Sequence, residues 1–190
     1  MFSGLIICLR ILIMTKYDIN YSQGLYQSGS NNHVLLNKLP QNSITVSDIK
    51  TWHRRWLGNV YEWAGDERSV NMSKGDLQFS TAAQIPRLLN QFELDCLNRY
   101  TPCNNFDNES LIEAIAVIHI EFILIHPFRE GNGRLLHLLA DVMAAQAGLQ
   151  PLDYTSWDQS KDEYFSAIQQ GMGMNYEPMK ARVRRAIDVS

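Results

Sequence analysis

From Leu111 to Leu124 the chain is apolar on nearly every side of a helical wheel, through Leu111, Ile112, Ile115, Val117, Ile118, Ile120, Phe122, Ile123 and Leu124. A helix that is hydrophobic all round is buried. This segment, capped by Asn108 and running to about Ile125, therefore predicts a central helix with the other elements packed around it. Pro127 marks its end, because the residue before a proline avoids the helical region. The side chain held rigidly at that end is His126.

The stretch that follows reads His126-Pro127-Phe128-Arg129-Glu130-Gly131-Asn132-Gly133-Arg134 and opens into a second helical run, Leu135 to Ala147. Gly131 and Gly133 allow a sharp turn and a close approach of the backbone to a ligand. The N–H groups of such a turn lie at a helix N-terminus, where orphan donors and the helix dipole favour an anion. A base (His126), a carboxylate (Glu130), an amide (Asn132) and a guanidinium (Arg134) surround it. That inventory suits phosphoryl or nucleotidyl transfer, and core packing does not ask for it.

These residues closely resemble the motif of the Fic (filamentation induced by cAMP) family, His-x-Phe-x-(Asp/Glu)-Gly-Asn-Gly-Arg-x-x-Arg. Every fixed position matches except the last, where this chain has His137. Trp63-Ala64-Gly65, Arg68-Ser69-Val70-Asn71 and Ser73-Lys74-Gly75 resemble the family's flap region, and Val34 to Leu39 resembles a segment that often precedes the domain. The resemblance covers residues 17–187. It implies a Fic fold, a mostly helical single domain with one β-hairpin flap, whose core runs from about 45 to 187.

The resemblance also implies an activity, protein adenylyltransfer: AMP passes from Mg-ATP to a Ser, Thr or Tyr hydroxyl of a target protein. His126 would be the general base and Glu130 the Mg²⁺ ligand. Gly131, Asn132, Gly133, Arg134, His137 and Lys74 would hold the nucleotide phosphates, with Asn132 adding a side-chain donor. A flap of Ser73, Lys74, Gly75, Asp76, Leu77, Gln78 and Phe79 would hold the target segment over the histidine. Mg²⁺ takes one or two carboxylates plus phosphate oxygens, so Glu130 alone would suffice. An Arg fork grips phosphate in a way Lys cannot reproduce. Attack at the α-phosphate rests on the resemblance, since the Gly-Asn-Gly loop is typical of AMP-transferring members. The alternatives are a Fic-like phosphotransferase and a nucleotide-binding module without turnover because of His137, which is shorter than Arg and mostly neutral at pH 7.

Elsewhere the pattern predicts a helix from Ser47 with the stripe Ile49, Trp52, Trp56, Leu57, Val60 and Tyr61, ended by Gly65. Val70 and Met72, then Leu77 and Phe79, alternate about Ser73–Asp76, a hairpin signal. Ile85, Leu88, Leu89, Phe92 and Cys96 mark another helix, with Pro86 in its first turn. Two more follow, at about 160–171 and at 175–187 with the stripe Tyr176, Met179, Val183 and Ile187. Residues 17–41 read as irregular, with a short helical turn at Val34–Lys38. A metal hydrolase using His119, Glu121 and His126 is disfavoured, because seven helical residues separate the histidines by about 10 Å.

A 45% hydrophobic chain of 190 residues fits one domain. A net charge of −3 gives no reason to expect nucleic acid, and Arg182, Arg184 and Arg185 read as a solvated helix face. Cys8, Cys96 and Cys103 lack metal spacing and suit a reducing cytoplasm; the resemblance adds delivery into another cell as an effector. Leu5–Met14 is too short to span a bilayer; residues 1–16 read either as an extra packed helix or as an apolar leader ahead of a working start at Met14, and no membrane partner is expected. No (Ser/Thr)-x-x-x-Glu-(Gly/Asn) hexapeptide, the family's inhibitory motif, occurs in the sequence. The expectation is control by a separate inhibitory, antitoxin-like chain, by homo-oligomerisation, or no control at all.

Overall fold

The structure is a computed structural model and describes residues 42–75 and 77–188. The leader, the Val34–Lys38 turn and Asp76 lie outside the described residues. The elements run α1 (Val46–Leu57), β1 (Ser73–Lys74), β2 (Leu77–Gln78), α2 (Ile85–Phe92), α3 (Asn108–Ile125), α4 (Asn132–Gln146), α5 (Thr155–Gln159), α6 (Lys161–Gly171) and α7 (Glu177–Asp188). α2 continues through a π-helical turn, Glu93–Leu97, and a last turn, Asn98–Tyr100. The mostly helical fold with a single antiparallel hairpin is the one expected.

α3 is the central helix. Twelve of its eighteen residues are buried, and α2, α4, α6 and α7 all pack against it. Its N-cap is Asp107, whose carboxylate accepts from Ser110 N, so the predicted cap at Asn108 moves by one residue. α6 approaches closely at Gly171, where a Cβ would sit 2.5 Å from Ile120. No helix among the described residues is long and apolar enough to cross a membrane.

α1 departs from its sequence reading at both ends. Thr45, not Ser47, is the N-cap, in a capping box with Asp48 that satisfies two orphan donors at once. The helix stops at Leu57 with Gly58 as its cap, and Val60 is 67% exposed. Gly65 belongs to the turns that follow, with φ +84°. The solvated basic face of α7 is corrected at Arg182 alone. Arg182 is buried against Trp157 and Tyr164 and pairs with Glu163, while Arg184 pairs with Glu109. Cys96 and Cys103 are buried and free, and burial pushes each thiol up to about 12.

Candidate active site

The end of α3, the hairpin and the start of α4 meet at one place. His126 caps α3 in the left-handed region, φ 51° and ψ 60°, with its N–H still donating to Phe122 O. Pro127 stops the helix as predicted. The preceding residue turns left-handed rather than extended, a conformation that costs about 1–3 kcal/mol in a non-glycine residue and collects at functional sites.

The His126 ring lies flat on Phe79, the residue just after β2, with centroids 3.7 Å apart and planes within 10°. Burial is the main reason its pKa is pushed down to about 4; the Arg68 and Lys74 cations lower it further, against the pull of the Ile123 backbone and Glu130. Its Nδ1 is buried and makes no bond of full hydrogen-bond geometry, even to Ile123. Nε2 is then the nitrogen left to exchange a proton with a substrate. At pH 7 the ring is neutral and can accept one.

α4 begins at Asn132, three residues earlier than its apolar period, with Gly131 as N-cap at φ +85°. Only glycine fits there: a Cβ would lie 2.6 Å from the Trp56 ring. At Gly133 a Cβ would meet no protein atom within 4 Å. The Glu130 carboxylate bends back onto this N-terminus, its Oε1 accepting from Gly131 N at 2.9 Å and from Arg134 Nη2 at 2.9 Å. The Arg134 guanidinium rests on Trp56, 4.6 Å from the ring centre. A carboxylate held by a helix-end N–H and a guanidinium marks an anion site. It also means that Gly131 N–H is engaged by the chain's own carboxylate.

The Asn132 side chain is engaged within the loop. Its Oδ1 accepts from Phe128 N and its Nδ2 donates to Phe128 O, at 3.0 and 2.8 Å, so the amide staples the loop rather than facing a phosphate. Phe128 is a buried anchor, as its apolar character suggests. His137, on α4, stacks on Tyr154 with centroids 3.9 Å apart and meets Trp157 edge-on. Lys74 extends over the Phe165 ring of α6, 4.9 Å from its centre. Ser73, Lys74, Gly75 and Gln78 are exposed, while Leu77 is buried.

Two residues that hold the site were not singled out for it in sequence. His53 of α1 is fully buried, stacks on Phe128, accepts from Gly65 N through Nδ1, and so donates through Nε2 to Glu130 O at 2.9 Å. Burial lowers its pKa and keeps it neutral. Arg68, 2% exposed, sends its guanidinium to the carbonyls of Ile125, His126, Val70 and Ser80. A lone histidine on an amphipathic helix gave no signal beyond residue type, and the flap resemblance that includes Arg68 gave it no role; the Gly65 and Glu130 partners of His53 lie 12 and 77 residues away.

The hydrolase alternative does not assemble. His119 bonds Tyr164 Oη and Glu121 bonds Tyr176 Oη, while His126 faces Phe79. Among the described residues no three His, Cys, Asp or Glu side chains could hold a metal ion together. Glu130, with both bonds on Oε1, suits the single-carboxylate demand of a magnesium ion arriving with a nucleotide.

Residues 43–144 match the Fic/DOC family. The chain is 27% identical over 149 residues to a probable protein adenylyltransferase, y4lH, of Sinorhizobium fredii (strain NBRC 101917 / NGR234), covering 78% of this chain and 76% of that protein. It is 30% identical over 141 residues to the protein adenylyltransferase VbhT of Bartonella schoenbuchensis, covering 74% of this chain and 28% of that one. Against the protein adenylyltransferase Fic of Nematostella vectensis it is 30% identical over 149 residues, 77% of this chain and 33% of that one. The chain thus spans about three quarters of the first protein and a third or less of the other two. The FIC domain of Bep8, a VirB-translocated effector of Bartonella sp. 1-1C, has the same fold, with a TM-score of 0.68 at 21% identity over 97% of this chain and 85% of that one. BepC of Bartonella tribocorum, solved with AMPPNP bound, gives 0.64 at 20% identity over 96% and 86%.

Proposed function

The chain belongs to the Fic/DOC family, and from that premise we propose that it is a protein adenylyltransferase, moving AMP from Mg-ATP to a hydroxyl of a target protein. The observation that carries this reading is the anion site at the start of α4, where Gly131 N–H and Arg134 together grip a carboxylate, four residues after a neutral histidine. Triphosphate oxygens would take the place of the Glu130 carboxylate on Gly131 N–H and Arg134. Glu130, released, would turn to the magnesium ion that travels with the nucleotide.

His126 Nε2 would remove the proton from the incoming Ser, Thr or Tyr hydroxyl. The hydroxyl oxygen bonds to the α-phosphorus, the bond from that phosphorus to the β-phosphate bridging oxygen breaks, and pyrophosphate leaves with its electron pair. General-base catalysis of this kind contributes about 10²–10⁴-fold. The hairpin would hold the target segment through main-chain hydrogen bonds at its open strand edge. Residues 17–190 would form the catalytic domain, with control by a separate inhibitory chain or by self-association.

Labelled ATP tests the reading. Incubated with the protein and a soluble protein extract, α-labelled ATP should transfer its label to protein and γ-labelled ATP should not. Transfer of the γ-label would make the protein a phosphotransferase, and transfer of neither a binding module.

A further inference from the structure

We propose that Arg68 is a positioning residue that joins the target-docking hairpin and the catalytic histidine into one rigid unit; the words target and catalytic rest on the function proposed above. Its Nε donates to His126 O at 2.7 Å and its Nη2 reaches Ile125 O at 3.3 Å. The same guanidinium donates to Val70 O, upstream of β1, and to Ser80 O, downstream of β2. One planar group thus spans the base of the hairpin and the end of α3. Arg68 N also donates to Pro127 O at 2.8 Å, and Ser80 N and Oγ both donate to Leu124 O.

The chemistry explains why arginine stands there. The last carbonyls of a helix have no partners within it and carry the negative end of its dipole. A buried cation whose bonds all go to main-chain carbonyls satisfies them, and it fixes His126 in a left-handed conformation it would otherwise leave. Lysine carries the charge but cannot span four acceptors from one ammonium. The guanidinium also acts on the His126 ring as a cation. The other charges facing that ring are Lys74 from the hairpin, which opposes protonation as Arg68 does, and Glu130 from the loop, which favours it.

Arg68→Lys and Arg68→Gln separate geometry from charge. Amide exchange at Lys74 and Leu77 should quicken by about tenfold in both variants, with exchange in α7 unchanged. NMR titration should find the His126 ring pKa raised in Arg68→Gln and close to the parent in Arg68→Lys. Transfer of α-label from ATP to a soluble protein extract should fall by about a hundredfold in both, with ATP affinity held within about twofold. Parent-like hairpin exchange in Arg68→Lys would overturn the proposal. So would a loss of protection shared equally by the hairpin and α7, or a failure of both variants to fold, since Arg68 would then serve the fold alone. If the parent protein itself transfers no label, the functional reading fails, while exchange and titration still decide the role of Arg68.

Discussion

The ring of Phe79 lies flat on the ring of His126, so the residue that follows β2 is also the lid on the histidine proposed as general base. Burial is the largest cause of the histidine's low pKa. Phe79→Ala should therefore return that pKa from about 4 toward the ordinary value of about 6.5. The acid limb of the transfer rate, which requires the ring to be neutral, should move to higher pH with it. NMR titration of His126 together with a pH–rate profile checks both shifts, and an unmoved limb contradicts the lid.

His126→Ala should lower transfer by about 10²–10⁴-fold and leave nucleotide affinity nearly intact, because the base acts on the hydroxyl and not on the phosphates. Calorimetric ATP titration beside a label-transfer assay distinguishes this from a general collapse of the site.

Glu130 holds Gly131 N–H and Arg134, the groups assigned to the phosphates. Glu130→Ala should then bind ATP in chelator at least as tightly as the parent, since the competing carboxylate is gone. It should gain little from added Mg²⁺, in contrast to the parent. ATP binding with and without magnesium measures both; an affinity that still rises steeply with magnesium argues for a different metal ligand.

His53, His119 and His126 all have lowered pKa values, chiefly through burial. Each therefore binds a proton less readily when folded than when unfolded, and unfolding takes up protons once the pH is below about 6.5. Stability should be full above that value and fall with acid, by up to about 1.4 kcal/mol per pH unit for each of His119 and His126, the two held well below the ordinary range. Urea unfolding between pH 7.5 and 5 should show the slope. His119→Phe should make it shallower.

The stack of His137 on Tyr154 and its edge contact with Trp157 favour packing over phosphate contact. Comparing ATP affinity in His126→Ala with that in His126→Ala/His137→Ala across pH cancels titration of ATP itself. The gap between the two should stay flat. A gap that widens toward acid would show a protonated ring reaching the triphosphate.

The sequence alone determined what depends on local pattern. An apolar period that goes all the way round can only be a buried helix, so α3 and the place of His126 at its end followed. Alternation about Ser73–Asp76 specified the hairpin, and the order of residues from His126 to Arg134 specified the loop chemistry, since helix end, turn and helix start are all short-range. What only the tertiary structure decided are bonds between groups far apart in the chain. Arg182 looked like a solvated cation until α5 brought the Trp157 ring, and α6 brought Glu163 and the Tyr164 ring, to it. Val60 and Tyr61 continued a helical stripe on paper, but the helix ends at Gly58, where Val60 is exposed and Tyr61 stacks on Trp63 instead of joining the core. His53 and Arg68 hold the site through carbonyls 77 and 58 residues away. A main-chain carbonyl carries no residue type, so no pattern of side chains can announce which one a buried donor will reach.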